Sequence, residues 1–128
     1  TKRIMVVEDN DLNRNLFCDV LKANGFEVEP VADGNLVLDT ARAMAPDLII
    51  MDVEMPVLNG LEATRCIRRK ESDRSLSRIP ILALTANVQR ADIDACLEAG
   101  MDGYLSKPFD RETLEDAVSR LTRRQVVA

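Results

Sequence analysis

The stretch Asp47-Leu48-Ile49-Ile50-Met51-Asp52 places four apolar residues between two acids, with Pro46 before it and Pro56 after it. A run this short between turn signals reads as a strand buried on both faces, the kind found at the centre of a parallel sheet covered by helices. Asp52 then stands at the carboxyl end of a central strand, where open α/β sheets bind their ligands. The pattern recurs at the start of the chain, where Ile4-Met5-Val6-Val7 runs straight into Glu8-Asp9-Asn10. Two buried strands thus carry acids to one edge of a sheet.

Strand one is Ile4–Val7. Helix one starts near Leu12 with Asp11 as its N-cap, carries Leu12, Leu16, Phe17, Val20 and Leu21 at helical spacing, and ends at Asn24-Gly25. Phe26–Val31 alternates with Glu27 and Glu29 and reads as an edge strand. Asp33-Gly34 turns into a helix marked by Leu36, Val37, Ala41 and Met44 and closed by Pro46. After the Asp52 strand, Leu61, Thr64, Ile67 and Arg68 mark a third helix, with Glu71–Arg78 as a polar loop or frayed end. Ile79–Leu84 is the fourth strand, Gln89–Ala99 the fourth helix with Ile93, Cys96 and Leu97 inward, and Tyr104-Leu105-Ser106 the fifth strand. The last helix runs from Asp110 or Arg111 to Arg123, burying Leu114, Ala117, Val118 and Leu121.

Five strands alternating with five helices imply an α/β fold with one doubly wound parallel sheet, of order 2-1-3-4-5 at this size. The 128 residues make one domain, expected over residues 1–124 with 125–128 as a short tail. No apolar run approaches the ~20 residues that cross a bilayer, so no membrane span is expected. A net charge of −5 argues against a nucleic-acid surface, and the absence of histidine excludes His-based metal sites and His general bases. Cys18, Cys66 and Cys96 sit far apart within helical patterns and read as core packing in a reducing compartment. Arg65, Arg68, Arg69 and Lys70 read as the solvated end of a helix.

In the 2-1-3-4-5 order, Glu8, Asp9 and Asp52 converge in one crevice, with Thr85 and Lys107 closing it from strands four and five. Three carboxylates packed together repel one another unless protons or a cation intervene, and an all-oxygen donor set suits Mg²⁺. Lys107 supplies a point charge for a carboxylate or phosphoryl oxygen, and the Thr85 hydroxyl can donate to a phosphoryl oxygen or cap the fourth helix. Tyr104, the only tyrosine, offers an aromatic body for packing and a polar tip. A carboxylate nucleophile with Mg²⁺, a lysine and a hydroxyl makes a phosphoryl-transfer site. There is no Walker loop or glycine-rich nucleotide cradle, so the donor is brought by something else.

Glu8-Asp9-Asn10, Met51-Asp52-Val53-Glu54-Met55-Pro56 with Gly60, Leu84-Thr85-Ala86 and Lys107-Pro108-Phe109 together resemble the receiver domain of two-component response regulators, across essentially the whole chain. Asp11-Leu12-Asn13-Arg14, Gly60-Leu61-Glu62-Ala63-Thr64-Arg65 and Cys96-Leu97-Glu98-Ala99-Gly100 are similar to receivers of hybrid histidine kinases and of DivK-type single-domain regulators. The resemblance implies a bacterial, cytoplasmic, monomeric phosphoprotein that is a switch rather than an enzyme. Asp52 would take a phosphoryl group from a histidine kinase or histidine phosphotransferase. Asp9, Asp52 and the Glu54 backbone carbonyl would bind Mg²⁺, with Glu8 holding its waters. Thr85 would turn toward the phosphoryl group, Tyr104 would follow it, Lys107 would pair with it across a cis Lys107–Pro108 bond, and the helix 4–strand 5–helix 5 face would control a protein partner. Glu8 stands where the family more often has Asp, and Glu54 and Asn87 occupy the positions that tune dephosphorylation.

Other readings are weaker on specific residues. A magnesium-dependent aspartyl phosphatase of the haloacid-dehalogenase type would carry its nucleophile on an early strand and add a cap domain. A flavodoxin-like module would place a Ser/Thr-rich phosphate loop where this chain has Glu8 and Asp9. A docking pseudo-receiver would not need Asp9, Asp52, Thr85 and Lys107 together. The chain reads as a stand-alone regulator, with a receiver excised from a hybrid kinase as the alternative.

Overall fold

Residues 2–53, 60–72, 78–85, 89–106 and 110–127 are described in the computed structural model, with side chains through Thr122. Chain order alternates strictly: β1 (Arg3–Val7), α1 (Asp11–Ala23), β2 (Glu27–Val31), a 3-10 turn (Gly34–Leu36) leading into α2 (Val37–Met44), β3 (Leu48–Asp52), α3 (Gly60–Ser72), β4 (Ile81–Thr85), α4 (Arg90–Ala99), β5 (Gly103–Ser106) and α5 (Arg111–Val127). Among the described residues the strands form one parallel sheet in the order β2-β1-β3-β4-β5, as the alternation requires.

Burial follows strand parity. Ile4, Val6, Leu48, Ile50, Leu82, Leu84 and Leu105 face a layer made by Phe17 and Leu21 of α1 with Leu114, Ala117, Val118 and Leu121 of α5. Met5, Val7, Ile49, Met51, Ile81 and Ala83 face the opposite layer, which holds Val37 and Ala41 of α2, Ala63 and Ile67 of α3, and Cys96 of α4. β3 and β4 are buried at every position, as continuous apolar runs in a doubly covered sheet should be. Burial also pushes the Cys18 and Cys96 thiols above their ordinary pKa.

Several expectations are corrected. The N-cap of α1 is Asn10, whose side chain accepts from the Asn13 N–H at 3.0 Å, so Asp11 is the first helical residue. Leu12 and Leu16 are 79 % and 59 % exposed, because the inward stripe is Phe17, Cys18 and Leu21 and the two leucines lie on the far side of the helix from it. Leu97 is likewise 51 % exposed, since Cys96 and Ala99 are the residues of α4 that meet the core. β4 begins at Ile81, just past Pro80, which has no N–H for the ladder although its carbonyl accepts from Ile49 N–H at 3.0 Å. α5 continues past Arg123 through Val127, with neither glycine nor proline in that stretch to stop it.

The largest correction concerns Arg68 and Glu71. α3 continues through Ser72, and Arg68 is not solvated: its guanidinium donates to the Gly100 carbonyl, the Ile79 carbonyl, the Glu71 carboxylate and the Asp102 carboxylate, all at 2.7–2.8 Å. The two acids in turn accept from strand-entry amides, Glu71 from Ile79 N–H and Asp102 from Ile81 N–H, both at 2.8 Å. Arg78 adds a second cation on Asp102 at 2.5 Å. This cluster fastens α3, the start of β4 and the α4–β5 turn together at the sheet's amino edge. There Gly100 takes the left-handed conformation, φ 108°, that ends α4.

Candidate functional site

The carboxyl ends of the central strands are in step. Val7 of β1 pairs with Met51, and Asp52 pairs with Leu84. Glu8 extends β1 by one residue, its N–H donating to the Val31 carbonyl at 3.0 Å, and Val53 does the same for β3 through the Leu84 carbonyl at 2.9 Å. Glu8 and Asp52 are in phase with Val6 and Ile50, so strand alternation directs both toward the α1–α5 side. The result is the convergence expected from the sequence: one carboxylate oxygen each from Glu8, Asp9 and Asp52 lies within 4.8 Å of the others. Glu8 is fully buried and Asp52 is 2 % exposed, while Asp9 faces solvent at the rim.

The donor chemistry fits a hard divalent cation. All three groups offer oxygen, two of them are withdrawn from water, and one side of the cluster is open for waters or a phosphoryl oxygen to complete a coordination sphere. Glu54, whose backbone carbonyl is the fourth expected ligand, lies outside the described residues, as do Lys107 and the Lys107–Pro108 bond.

Thr85 is the last residue of β4, 3 % exposed, one position beyond the Leu84 partner of Asp52. It does not cap α4, whose N-cap is Gln89. Thr85 is in phase with Ala83 and Ile81, on the α2–α4 side of the sheet. Tyr104 pairs in register with Ala83, so it shares that side with Thr85 on the neighbouring strand, and its ring is 45 % exposed.

Three residues that hold the site emerge more clearly in three dimensions than in sequence. Gly60, the first residue of α3, donates its N–H to the Val53 carbonyl at 3.0 Å. A Cβ at Gly60 would lie 2.4 Å from the Asp52 carbonyl oxygen and 2.9 Å from Val53 Cα, so the helix approaches the acid-bearing backbone at a distance only glycine allows. Thr64, fully buried, braces that turn by donating to the Gly60 carbonyl at 2.8 Å. Arg14 on α1 reaches back to the other acidic strand end, donating Nη1 to the Glu8 carbonyl at 2.9 Å and Nη2 to the Asp11 carboxylate. A glycine before a helical pattern and an arginine one turn into helix one were the only signals, and neither reveals its target.

Residues 4–119 match the response regulator receiver domain family. The chain is 41 % identical over 109 residues to the polar-differentiation response regulator DivK of Brucella ovis, covering 85 % of this chain and 86 % of that protein. Among solved structures it is similar to the receiver domain of the sensor histidine kinase PA1611 from Pseudomonas aeruginosa, with a TM-score of 0.84 and 42 % identity over 94 % of this chain and 97 % of the other. That structure has a magnesium ion coordinated in its active-site cleft. A further likeness is to the co-crystal of the Saccharomyces cerevisiae histidine phosphotransfer protein Ypd1 with the receiver domain of its downstream response regulator Ssk1, with a TM-score of 0.91 and 26 % identity over 98 % of this chain and 91 % of the other. The family match begins inside β1, ends inside α5 and takes in the whole acidic crevice between them, so the chain belongs to the response regulator receiver domains, the signalling switches of two-component and phosphorelay systems.

Proposed function

We propose that Asp52 is the phospho-acceptor, and that it takes its phosphoryl group from the histidine of a kinase or a histidine phosphotransferase. The observation that carries this is the burial of Asp52 within 4.8 Å of Glu8 and Asp9 at the end of the central strand. An Asp52 carboxylate oxygen attacks phosphorus, the P–N bond to the donor imidazole breaks, the imidazole leaves with its electron pair, and an acyl phosphate remains on Asp52. Asp9, Asp52 and the Glu54 carbonyl would hold Mg²⁺, with Glu8 orienting its waters; when bound, the ion neutralises charge developing on the phosphoryl oxygens. The magnesium in the PA1611 receiver supports this donor set, and the Ypd1–Ssk1 complex supports a phosphotransfer partner. The chain on this reading is a switch that at most promotes its own phosphorylation and dephosphorylation.

Phosphorylation adds about −1.5 to −2 charges at one strand end. In that state a phosphoryl oxygen becomes available to the Thr85 hydroxyl and to Lys107, which shifts the equilibrium of the α4 face. Tyr104 shares the Thr85 side of the sheet and would change its exposure with it, so the α4–β5–α5 face is the output surface toward a protein partner. The unit would be residues 1–124, with 125–128 appended, acting as a cytoplasmic monomer without nucleic acid; among the described residues no helix is long and apolar enough to cross a membrane. The likeness to a kinase-borne receiver supports a second arrangement, in which the same unit belongs to a hybrid histidine kinase.

Intact mass after incubation with Mg²⁺ and acetyl phosphate tests the assignment. One added phosphoryl group in the parent and none in Asp52→Asn is expected, with amide shifts across α4, β5 and α5. No gain in a protein that binds Mg²⁺ would remove Asp52 as acceptor for such donors. Phosphorylation without shifts on that face would remove the output surface.

A further inference from the structure

Asp9 is the one acid of the cluster that burial does not hold. The turn on which it sits is fixed by its neighbours instead. The Glu8 N–H is tied to the Val31 carbonyl at 3.0 Å, the Asn10 side chain accepts from Asn13 N–H at 3.0 Å, and the Asn10 carbonyl accepts from Arg14 N–H at 2.9 Å. Between these anchors lies the peptide group joining Glu8 to Asp9. Its carbonyl accepts from Arg14 Nη1 at 2.9 Å, while Nη2 of the same guanidinium holds the Asp11 carboxylate on the far side of Asp9. The Arg14 side chain is only 16 % exposed, whereas Asp11 is 85 % exposed.

A peptide group is planar, so a bond that fixes the Glu8 carbonyl also fixes the plane from which the Asp9 Cα departs. From this geometry we infer that Arg14 is a positioning residue for cation binding: its rigid fork clasps the turn on both sides of Asp9 and holds that carboxylate in reach of Glu8 and Asp52 before any ion arrives. The inference rests on the reading of the three acids as a Mg²⁺ site. It also has a sign that electrostatics alone would reverse. A fixed positive charge beside a cation site opposes binding, so a merely neighbouring Arg14 would weaken Mg²⁺ affinity and its removal would tighten it. A positioning Arg14 gives the opposite result.

Calorimetric titration of the intact protein with MgCl₂ decides between these. Arg14→Met should raise the Mg²⁺ Kd about tenfold, the scale on which partners that orient metal ligands act. Arg14→Lys keeps the charge without the planar fork and should weaken binding to a similar degree. In the metal-free state, the Asp9 and Asn10 amide resonances should shift or broaden in both variants. Tighter or unchanged Mg²⁺ binding in Arg14→Met, or full affinity in Arg14→Lys, would overturn the inference; Arg14→Lys also serves if the methionine variant does not fold. Asp9→Asn separates the two levels: if it weakens Mg²⁺ binding and the Arg14 variants do not, only the positioning role is lost. If Asp9→Asn leaves the affinity unchanged, the metal site is lost with it.

Discussion

Gly60→Ala is the substitution whose effect follows most directly from a distance. The added methyl would begin 2.4 Å from the Asp52 carbonyl oxygen, 2.9 Å from Val53 Cα and 3.0 Å from the Asp52 carbonyl carbon. Relieving that contact to an ordinary separation near 3.5 Å requires the start of α3 and the end of β3 to part by roughly 1 Å. All three obstacles are backbone, so no side chain can swing away. Overpacking of this kind costs about 1–3 kcal/mol. Replacing a glycine by alanine returns about 0.4–1 kcal/mol by restricting the unfolded chain. A net loss of about 1–2 kcal/mol lowers Tm by roughly 3–8 °C in a domain of this size.

The consequence for function is larger than for stability. The moved atoms carry the side chain of Asp52, the acceptor proposed above, and a 1 Å misplacement of a reacting group can slow a reaction by about 100-fold. Gly25→Ala is the matched control. Its Cβ meets nothing within 4 Å, but its φ of 88° is left-handed, which costs an alanine about 1 kcal/mol at a distance from the crevice. Calorimetric melting and an acetyl phosphate time course followed by intact mass should show both variants less stable and only Gly60→Ala slow. A Gly60→Ala protein that is phosphorylated within about threefold of the parent rate, with unchanged Tm, would refute the argument from close approach.

Two further outcomes are expected. Arg68→Met should leave the Glu71 and Asp102 carboxylates without their shared partner, costing about 2 kcal/mol, below the 3–5 kcal/mol of a fully buried pair because water still reaches the cluster; chemical denaturation checks this. Asp110 accepts from the Thr113 hydroxyl and the Thr113 N–H, and these bonds hold its carboxyl below the ordinary pKa. The stability it contributes is therefore present above the unfolded-state pKa and lost as pH falls through the lowered folded value, so Asp110→Asn should flatten the acid limb of the melting curve against pH; an unchanged acid limb would contradict it.

The fold was legible because three of its strands are short apolar runs that could be read only one way. Ile4–Val7, Leu48–Met51 and the run read as Ile79–Leu84, whose ladder starts only at Ile81, needed no partner to be recognised, and the meeting of Glu8, Asp9 and Asp52 followed from the strand order they imply. Helix faces were less legible. The spacing of Leu12, Leu16 and Leu97 is helical, but period alone does not say which flank the sheet will cover. Asp11 was read as the cap of α1 where Asn10 serves, because both residue types suit the role and the extended backbone of Asn10 decides it. Arg68 was misread because, beyond nearby Glu71, its acceptors are remote in sequence: Asp102 lies 34 positions away, and a basic run at a helix end gives no hint of it.

That cluster gives α4 the mechanics of a lever. Its far end is bolted through the Gly100 carbonyl to Arg68 and through the adjoining turn to Asp102, whereas its near end begins at Gln89, which, among the described residues, makes no side-chain cap bond. Ten residues at 1.5 Å each make an arm of about 15 Å. A tilt about the bolted end would leave the fulcrum still and sweep the tip beside Thr85 farthest. Travel would be greatest at the carboxyl edge, where Glu8, Asp9 and Asp52 gather, and would fall to nothing at the opposite rim of the sheet.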